Sequence, residues 1–500
     1  MTRTRVSLFV LLFASYAYFY QAGGWNQNSR FNLVRAITNE HTLSVDPFRH
    51  DTGDKAFANG HYYSDKAPGL ALTATPLVAL VRPVMHLFGG DPETYGGIAL
   101  LSYLSTVFTA GLFTALAGVS LFTICLELGA GVTGALFAAL TFGLASPMWA
   151  LATIFIGHGF AAALLVFALQ EAMRVGGAGG GDVRRGALVG LYAGWATVSE
   201  FPAAIPAVLL AVLVARHAWP LGRARAVRVI AAMAATALAC AAVLMVYQWA
   251  CFGSPFHIAY SSEPGYVGMQ QGVFGVTLPK GIRLRRILFG QYRGLLPLAP
   301  ALAVAPFGLA LMLFKGPRPR RAALVATAIA VYFVLLNASY AYWEGGWSYG
   351  PRHAEPAIPF LCIGLAALWS ALPRPARWGL GLVSACGAAV TLVAVSTMPL
   401  PPADIRRPVQ ELMWPAFVDG DLSLNTQTFV SGGVDPNFRA HTAPKASFNL
   451  GMKAGLDGHA SLLPLALIWM GCFAGISGAS RRSPAAATGS PGCPAAPGSV

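Results

Sequence analysis

The chain has 500 residues, of which 55% are hydrophobic and 11% charged, and a mean hydropathy of +0.57. Soluble proteins carry about 25% charged residues, so a soluble globular domain is excluded and the surplus apolar surface belongs against lipid. The net charge of +14 sits largely in short loops between apolar runs, which fits membrane topology and anionic headgroups and argues against a nucleic-acid footprint.

In chain order, Met1 to Gly24 has a basic start at Arg3 and Arg5 followed by an apolar run. The run continues through YAYFY without a small-x-small cleavage site, so a retained first helix is expected rather than a signal peptide. Trp25 to Gly69 then concentrates Asp46, Asp51, Asp54, Asp65, Arg30, Lys55, Lys66 and three histidines. Segment 67–88 is apolar, but Pro68, Pro76, Arg82, Pro83 and His86 make it an awkward span. It is expected as a juxtamembrane or re-entrant helix on the side of the first loop.

Further apolar runs follow at 98–124, 131–150, 157–173, 186–198, 201–216, 227–250, 294–314, 322–340, 354–371, 377–398 and 460–479. Runs of about 20 residues are long enough to cross the hydrocarbon as helices. The expected fold is an all-α polytopic membrane protein with about 12 transmembrane helices, both termini cytoplasmic, by the positive-inside rule. With 67–88 not crossing, half of the 34 basic residues fall in short cytoplasmic loops and tails. All acidic residues except Glu127, Glu171 and Asp182 then fall outside.

Residues 1–479 are expected to form one transmembrane domain, with exterior segments 25–97, 251–293, 341–353 and 399–459. Residues 480–500 read as a disordered cytoplasmic tail, RRSPAAATGSPGCPAAPGSV being of low complexity. The seven cysteines show neither metal spacing nor a disulfide framework.

Chemistry, if present, is expected at the exterior face. Asp54, Asp65 and Asp46 are the candidate general bases, flanked by cations able to meet a developing phosphate charge. HDTGDK and ANGH also read as turns, a role that occupies some of these acids. Arg293 and Arg352 stand where helices meet headgroups, and guanidinium forks suit phosphate oxygens. His158, Glu200, Glu344, Tyr349 and His353 lie at helix–loop junctions expected on the same side and join Arg30, Lys55 and Lys66 as candidate binding residues. A divalent-ion site on Asp46, Asp51, Asp54 and His50 is a lesser alternative that lacks a ligand-spacing motif, so no metal ligand or cofactor is assigned.

Arg30-Phe31 and Tyr63-Ser64-Asp65-Lys66-Ala67-Pro68 resemble R-Y and Y-F-E-K-P-P of the GT-C superfamily of polyprenyl-phosphate-sugar glycosyltransferases. Within it, the resemblance is to aminoarabinose transferases and protein O-mannosyltransferases. Ser199-Glu200-Phe201-Pro202 is similar to their T-K-G-P hairpin tip, and His158 falls where many have an aspartate. YRGLLPLAP and WEGGWSYGPRHAEPAIP resemble segments of bacterial members. The resemblance covers most of 1–380 and implies a GT-C-like bundle in a bacterial inner membrane, with the active face periplasmic. It implies a polyprenyl-phosphate sugar donor, a glycan, lipid or protein acceptor and inverting transfer, with Lys66, Arg293 or Arg352 on the phosphate.

One departure stands out. Those families place an acidic pair before R-Y; here the pair is Gln27-Asn28. The base has therefore moved within the loop or the chemistry is lost. The alternatives are a flippase or transporter of lipid-linked sugars, or an inactive scaffold of the fold. No internal repeat of the transporter kind is present.

Overall fold

The computed structural model describes residues 1–177, 179–263, 265–425 and 447–481. The expected tail at 480–500 lies almost wholly outside the described residues, as does the middle of loop 399–459. Twenty α-helices in chain order build what is described. The first three are α1 (Thr2–Ala17), α2 (Trp25–Asn39) and α3 (Gly69–Leu87). Then α4 (Tyr95–Thr106) continues through a π-helical turn, Val107–Gly111, into α5 (Leu112–Glu127). Next come α6 (Val132–Leu144), α7 (Met148–Ala152), α8 (Gly157–Arg174), α9 (Asp182–Ser199), α10 (Ala204–Ala218) and α11 (Arg223–Phe252). The second half holds α12 (Gly281–Phe289), α13 (Leu295–Leu298), α14 (Ala305–Leu313), α15 (Pro317–Ser339), α16 (Ile358–Ala371) and α17 (Arg374–Ser396). Short α18 (Trp414–Asp419) and α19 (Leu450–Lys453) precede α20 (Leu463–Arg481). Strands are two- and three-residue pieces: β1 (Phe19–Tyr20) pairs with β4 (Phe448–Asn449), and β2 (Ala56–Ala58) with β3 (His61–Tyr63).

Among the described residues, seven helices are long and apolar enough to cross a membrane, and three apolar helices are shorter. Leu80, Val208, Leu238, Val246, Trp249, Phe307 and Leu467 point outward and are each more than half exposed, which is what lipid-facing surface requires. The chain is an integral membrane protein of helical-bundle type. The run 294–314 is broken into α13, a 3-10 turn at Pro300–Val304, and α14, because Pro297, Pro300 and Pro306 interrupt the helical ladder.

Close approach of backbones holds the bundle together. Gly186, Gly190 and Gly194 form a stripe on α9 facing α11; a Cβ on Gly190 would lie 2.0 Å from Met233 O. Gly308 of α14 and Gly364 of α16 meet in the same way, at 1.8 Å for a Cβ on Gly308. Small residues at such spacing let helices pack where lipid supplies no hydrophobic drive. Trp149, fully buried, donates its indole N–H to Ser15 O at 3.1 Å, and Trp469 donates to Ser15 Oγ at 2.8 Å. Gly475 lies against Ser7, so α1 and α20 run antiparallel and their terminal ends share one side.

That side also gathers the basic loops. Arg174 at the end of α8 pairs with Glu127 at 2.7 Å, Arg225 with Asp182 at 2.6 Å and Arg318 with Glu127 at 3.7 Å. The opposite ends of α8, α9 and α15 carry His158, Glu200 and Tyr340.

On this second side α2 and α3 lie alongside each other. Arg30 Nη1 donates to Ala67 O at 3.0 Å at one end. At the other, Asn39 and Arg82 both reach Glu93 Oε1. The polar character of α2, with Asn26, Gln27, Asn28, Arg30, Asn32 and Arg35 all buried, is paid back by this partner and by the loop folded over it.

Candidate active site

Three segments distant in sequence meet a fourth over α2. From the first loop, Lys66 Nζ lies 2.8 Å from Asp54 Oδ2 and 2.5 Å from Asp65 Oδ2. Ser29 of α2 donates to Asp65 Oδ1 at 2.9 Å. Asp54 is held by its own loop, its N–H donating to Thr52 Oγ1 at 2.9 Å while that hydroxyl donates to Trp25 O at 2.7 Å. From loop 251–293, the Tyr266 hydroxyl donates to Asp54 Oδ1 at 2.8 Å, and the Tyr260 ring stands 5.8 Å from the Lys66 ammonium.

The tip between α9 and α10 adds Glu200, whose Oε1 accepts from Arg30 Nη2 at 2.6 Å, both groups being buried. Two glycines allow this. A Cβ on Gly157 would lie 2.3 Å from Glu200 Oε1, and one on Gly69 2.4 Å from Ser199 Oγ. His158, one residue on, places Nδ1 3.6 Å from Glu200 Oε2. Its ring meets His353 edge-on at 5.0 Å, and His353 in turn meets Tyr340 at 4.7 Å.

The carboxylates are not equivalent. Burial alone would raise both. Lys66, the Tyr266 hydrogen bond and the charge of Arg352 outweigh it at Asp54, whose carboxyl lies below the usual range. At Asp65, burial and the charge of Asp54 outweigh Lys66, and the carboxyl is raised. Glu263 is pushed up to about 8 by burial and then by Asp65. Burial lowers the ammonium of Lys66, yet the two aspartates hold it well above its ordinary value. Burial, then His158, Arg352 and Lys66, push the His353 imidazole well down. Asp54 is thus the ionised acid and Lys66 a fixed cation.

Two guanidinium groups remain incompletely matched. Arg293 is fully buried; Nη2 donates to Gly346 O at 2.9 Å, while Nε and Nη1 have no partner among the described residues. Arg352 Nε is likewise buried without one, and its side chain forms no ion pair there. Arg352 is near enough for its charge to act on Asp54 and Glu200. Buried donors left unmatched are uncommon in native proteins.

Of the residues singled out from sequence, Asp54, Asp65, Lys66, Arg30, Glu200, His158, Arg352 and His353 come together, and Arg293 lies within reach of Arg352's charge. Asp46 and Lys55 stand apart. Asp46 binds His61 Nδ1 at 2.6 Å and the Tyr62 N–H at 2.6 Å, closing the β2–β3 hairpin. Lys55 donates to Arg49 O beside the Tyr62 ring. Glu344 is placed near Arg293 rather than Lys66. Tyr349 is buried in the bundle core. Gln27 and Asn28 serve local structure, donating to Gly23 O and Asp51 O. Ser29, Tyr260, Glu263, Tyr266 and Tyr340 were not anticipated; for Tyr260, Glu263 and Tyr266 the sequence signal was that loop 251–293 was exterior, and Ser29 lay within the first exterior segment. Among the described residues no group of three or more His, Cys, Asp or Glu is arranged to hold a metal ion.

No family model matches the sequence, and no curated protein does. Two solved structures of ArnT from Cupriavidus metallidurans are similar at 17% identity. The form bound to undecaprenyl phosphate has a TM-score of 0.48 over 95% of this chain and 75% of that one, the apo form 0.45 over 94% and 74%. The archaeal oligosaccharyltransferase AglB from Archaeoglobus fulgidus, in complex with an inhibitory peptide and a dolichol-phosphate, scores 0.42 at 10% identity, over 77% of this chain and 54% of that one. All three scores lie below 0.5, too low to carry substrate or mechanism to this chain.

Proposed function

We propose that this chain is a membrane glycosyltransferase that moves a sugar from a polyprenyl-phosphate donor to a hydroxyl acceptor, with inversion. The active face is periplasmic, in a bacterial inner membrane, with both termini and the basic loops cytoplasmic. In this reading α3 does not cross, since it lies along the polar helix α2. The observation that carries the function is one cluster in which Lys66 lies between Asp54 and Asp65 with Arg352 nearby and Arg293 adjoining, both guanidiniums having unmatched buried N–H groups. Lys66, Arg352 and Arg293 are the phosphate-binding groups.

The acceptor hydroxyl oxygen attacks the anomeric carbon as the bond from that carbon to the phosphate oxygen breaks. The hydroxyl proton passes to Asp54, and polyprenyl phosphate leaves with the bonding electron pair. A carboxylate offers about four lone-pair positions, so Asp54 keeps acceptor capacity beyond Lys66 and Tyr266. The cations help only as far as they hold the departing phosphate more tightly than the bound donor. Asp65, fully buried between Ser29 and Lys66, positions the lysine. This reading resolves the Gln27-Asn28 departure by moving the base to the far end of the same loop.

The test is transfer by the purified full-length chain in nanodiscs, supplied with polyprenyl-phosphate sugars and followed by mass spectrometry of released lipid phosphate. Asp54→Asn is expected to lose about 10²–10⁴-fold, while Asp46→Asn and Lys55→Gln keep near-full rates. Undiminished transfer by Asp54→Asn would refute the assignment of the base. Absence of transfer by the intact chain with every such donor would turn the reading toward transport or scaffolding.

A further inference from the structure

The segment running through α12 carries Lys280, Arg283, Arg285 and Arg286, and the sequence holds no aspartate or glutamate from Pro264 to Trp343. None of these four has an acidic partner among the described residues. Exterior loops are ordinarily poor in basic residues, so four in seven positions on the site's side call for a local cause.

Placement supplies it. The segment is strapped to the end of α15, a 23-residue candidate span. Thr277 N–H donates to Ser339 O at 3.0 Å, Lys280 N–H to Ala338 O at 3.2 Å, and Arg283 Nη1 to Tyr340 O at 2.8 Å. The end of a membrane span is the water–lipid boundary. On α12, Ile287 is buried inward while Ile282, Arg285, Arg286 and Phe289 are exposed. These four fall at i, i+3, i+4 and i+7, so they form one outward stripe. Ile282 is 49% exposed, Phe289 63% and the preceding Leu278 84%. A stripe with apolar ends and arginines between them matches a surface with acyl chains below and phosphates above.

We infer that α12 and its approach form a docking surface for anionic phospholipids of the leaflet on the site's side. Arg286 stacks 5.8 Å from the Trp343 ring, and Tyr292 and Arg293 follow α12 directly, so the surface is continuous with the unmatched guanidiniums of the site. The inference goes beyond the transferase reading and does not depend on it. Anionic headgroups would dock here whatever the site does next.

Full-length protein, purified in detergent and titrated with phosphatidylglycerol or phosphatidylcholine, gives the test by native mass spectrometry. The wild type is expected to bind phosphatidylglycerol preferentially, the preference weakening with salt. The variant Lys280→Gln/Arg285→Gln, which leaves the cluster untouched, is expected to weaken phosphatidylglycerol binding by at least about tenfold. Arg320→Gln, a charge loss at the other end of α15, is expected to leave it unchanged and controls for overall charge. Equal binding of both lipids by the wild type, or a double variant indistinguishable from it, overturns the inference. Because no sugar transfer is measured, neither result bears on the catalytic proposal.

Discussion

The Tyr266 hydroxyl donates to Asp54 Oδ1 at 2.8 Å across a separation of 212 residues. A hydrogen bond to the ionised form holds a carboxyl low, so removing the donor raises it. In Tyr266→Phe the acid limb of the pH–rate profile for transfer is expected to move to higher pH, with little change in rate near neutrality, where Asp54 stays ionised. A profile that keeps its acid limb while the rate falls would instead mean that Tyr266 only orders the loop.

Glu263 gives a pH signature of stability. Its folded value, about 8, lies above its ordinary 4.5, so the native chain binds this proton more tightly than the unfolded chain does. Its contribution is fully present below the ordinary value and is lost as pH rises toward 8. Glu263→Gln is therefore expected to melt at a higher temperature than the wild type at pH 8 and at nearly the same temperature at pH 4.5. Melting midpoints across that window in a fixed detergent check the sign.

Arg352 is expected to act on the phosphate. Arg352→Gln should lower transfer by about 10²–10³-fold, the scale for losing a charge-stabilising donor, while weakening inhibition by added polyprenyl phosphate. Arg352→Lys should recover only part of this, since an ammonium lacks the planar fork. If inhibition by the lipid phosphate is unchanged in Arg352→Gln, the guanidinium does not touch that group.

Gly157 tests how tightly the two buried charges are seated. Alanine there places its Cβ 2.3 Å from Glu200 Oε1 and 2.8 Å from Ser199 O. Either α8 or the Glu200 tip must shift, at a cost of about 1–3 kcal/mol, and the Arg30–Glu200 pair loosens. Thermal unfolding should show the loss. Gly379→Ala, inside α17 at a position with nothing within 4 Å of the added carbon, should not lower the midpoint.

The sequence was most informative where chemistry and hydropathy disagreed. Charged residues in an otherwise lipid-compatible chain marked the first loop, and Asp65-Lys66-Ala67-Pro68 marked the segment in which the structure seats Lys66 between two carboxylates. The proline-bearing 67–88 run read as an awkward span; it forms the helix α3, which lies along α2 and is also one of the seven helices long and apolar enough to cross a membrane. What escaped was set by contacts remote in the chain. Tyr260, Glu263 and Tyr266 come from an aperiodic loop whose path follows from its strapping to α15. Asp46 and Lys55 looked equivalent to Asp54 because one-dimensional proximity cannot show a hairpin turning two of three charges away. The Gly186, Gly190, Gly194 stripe was present at helical spacing, but which helix it would meet was not.

The grip of Asp54 and Asp65 on one ammonium has a thermodynamic corollary. An incoming dianion that recruits Lys66 must share it, and Asp65, already the more reluctant of the two to ionise, is then left with less positive potential nearby. Its affinity for hydrogen ions rises, so occupancy of the site should be accompanied by net uptake of hydrogen ions from solution. At a pH well above the second phosphate pKa of about 6, the heat of titrating polyprenyl phosphate should accordingly depend on the ionisation enthalpy of the buffer, and Asp65→Asn should abolish that dependence.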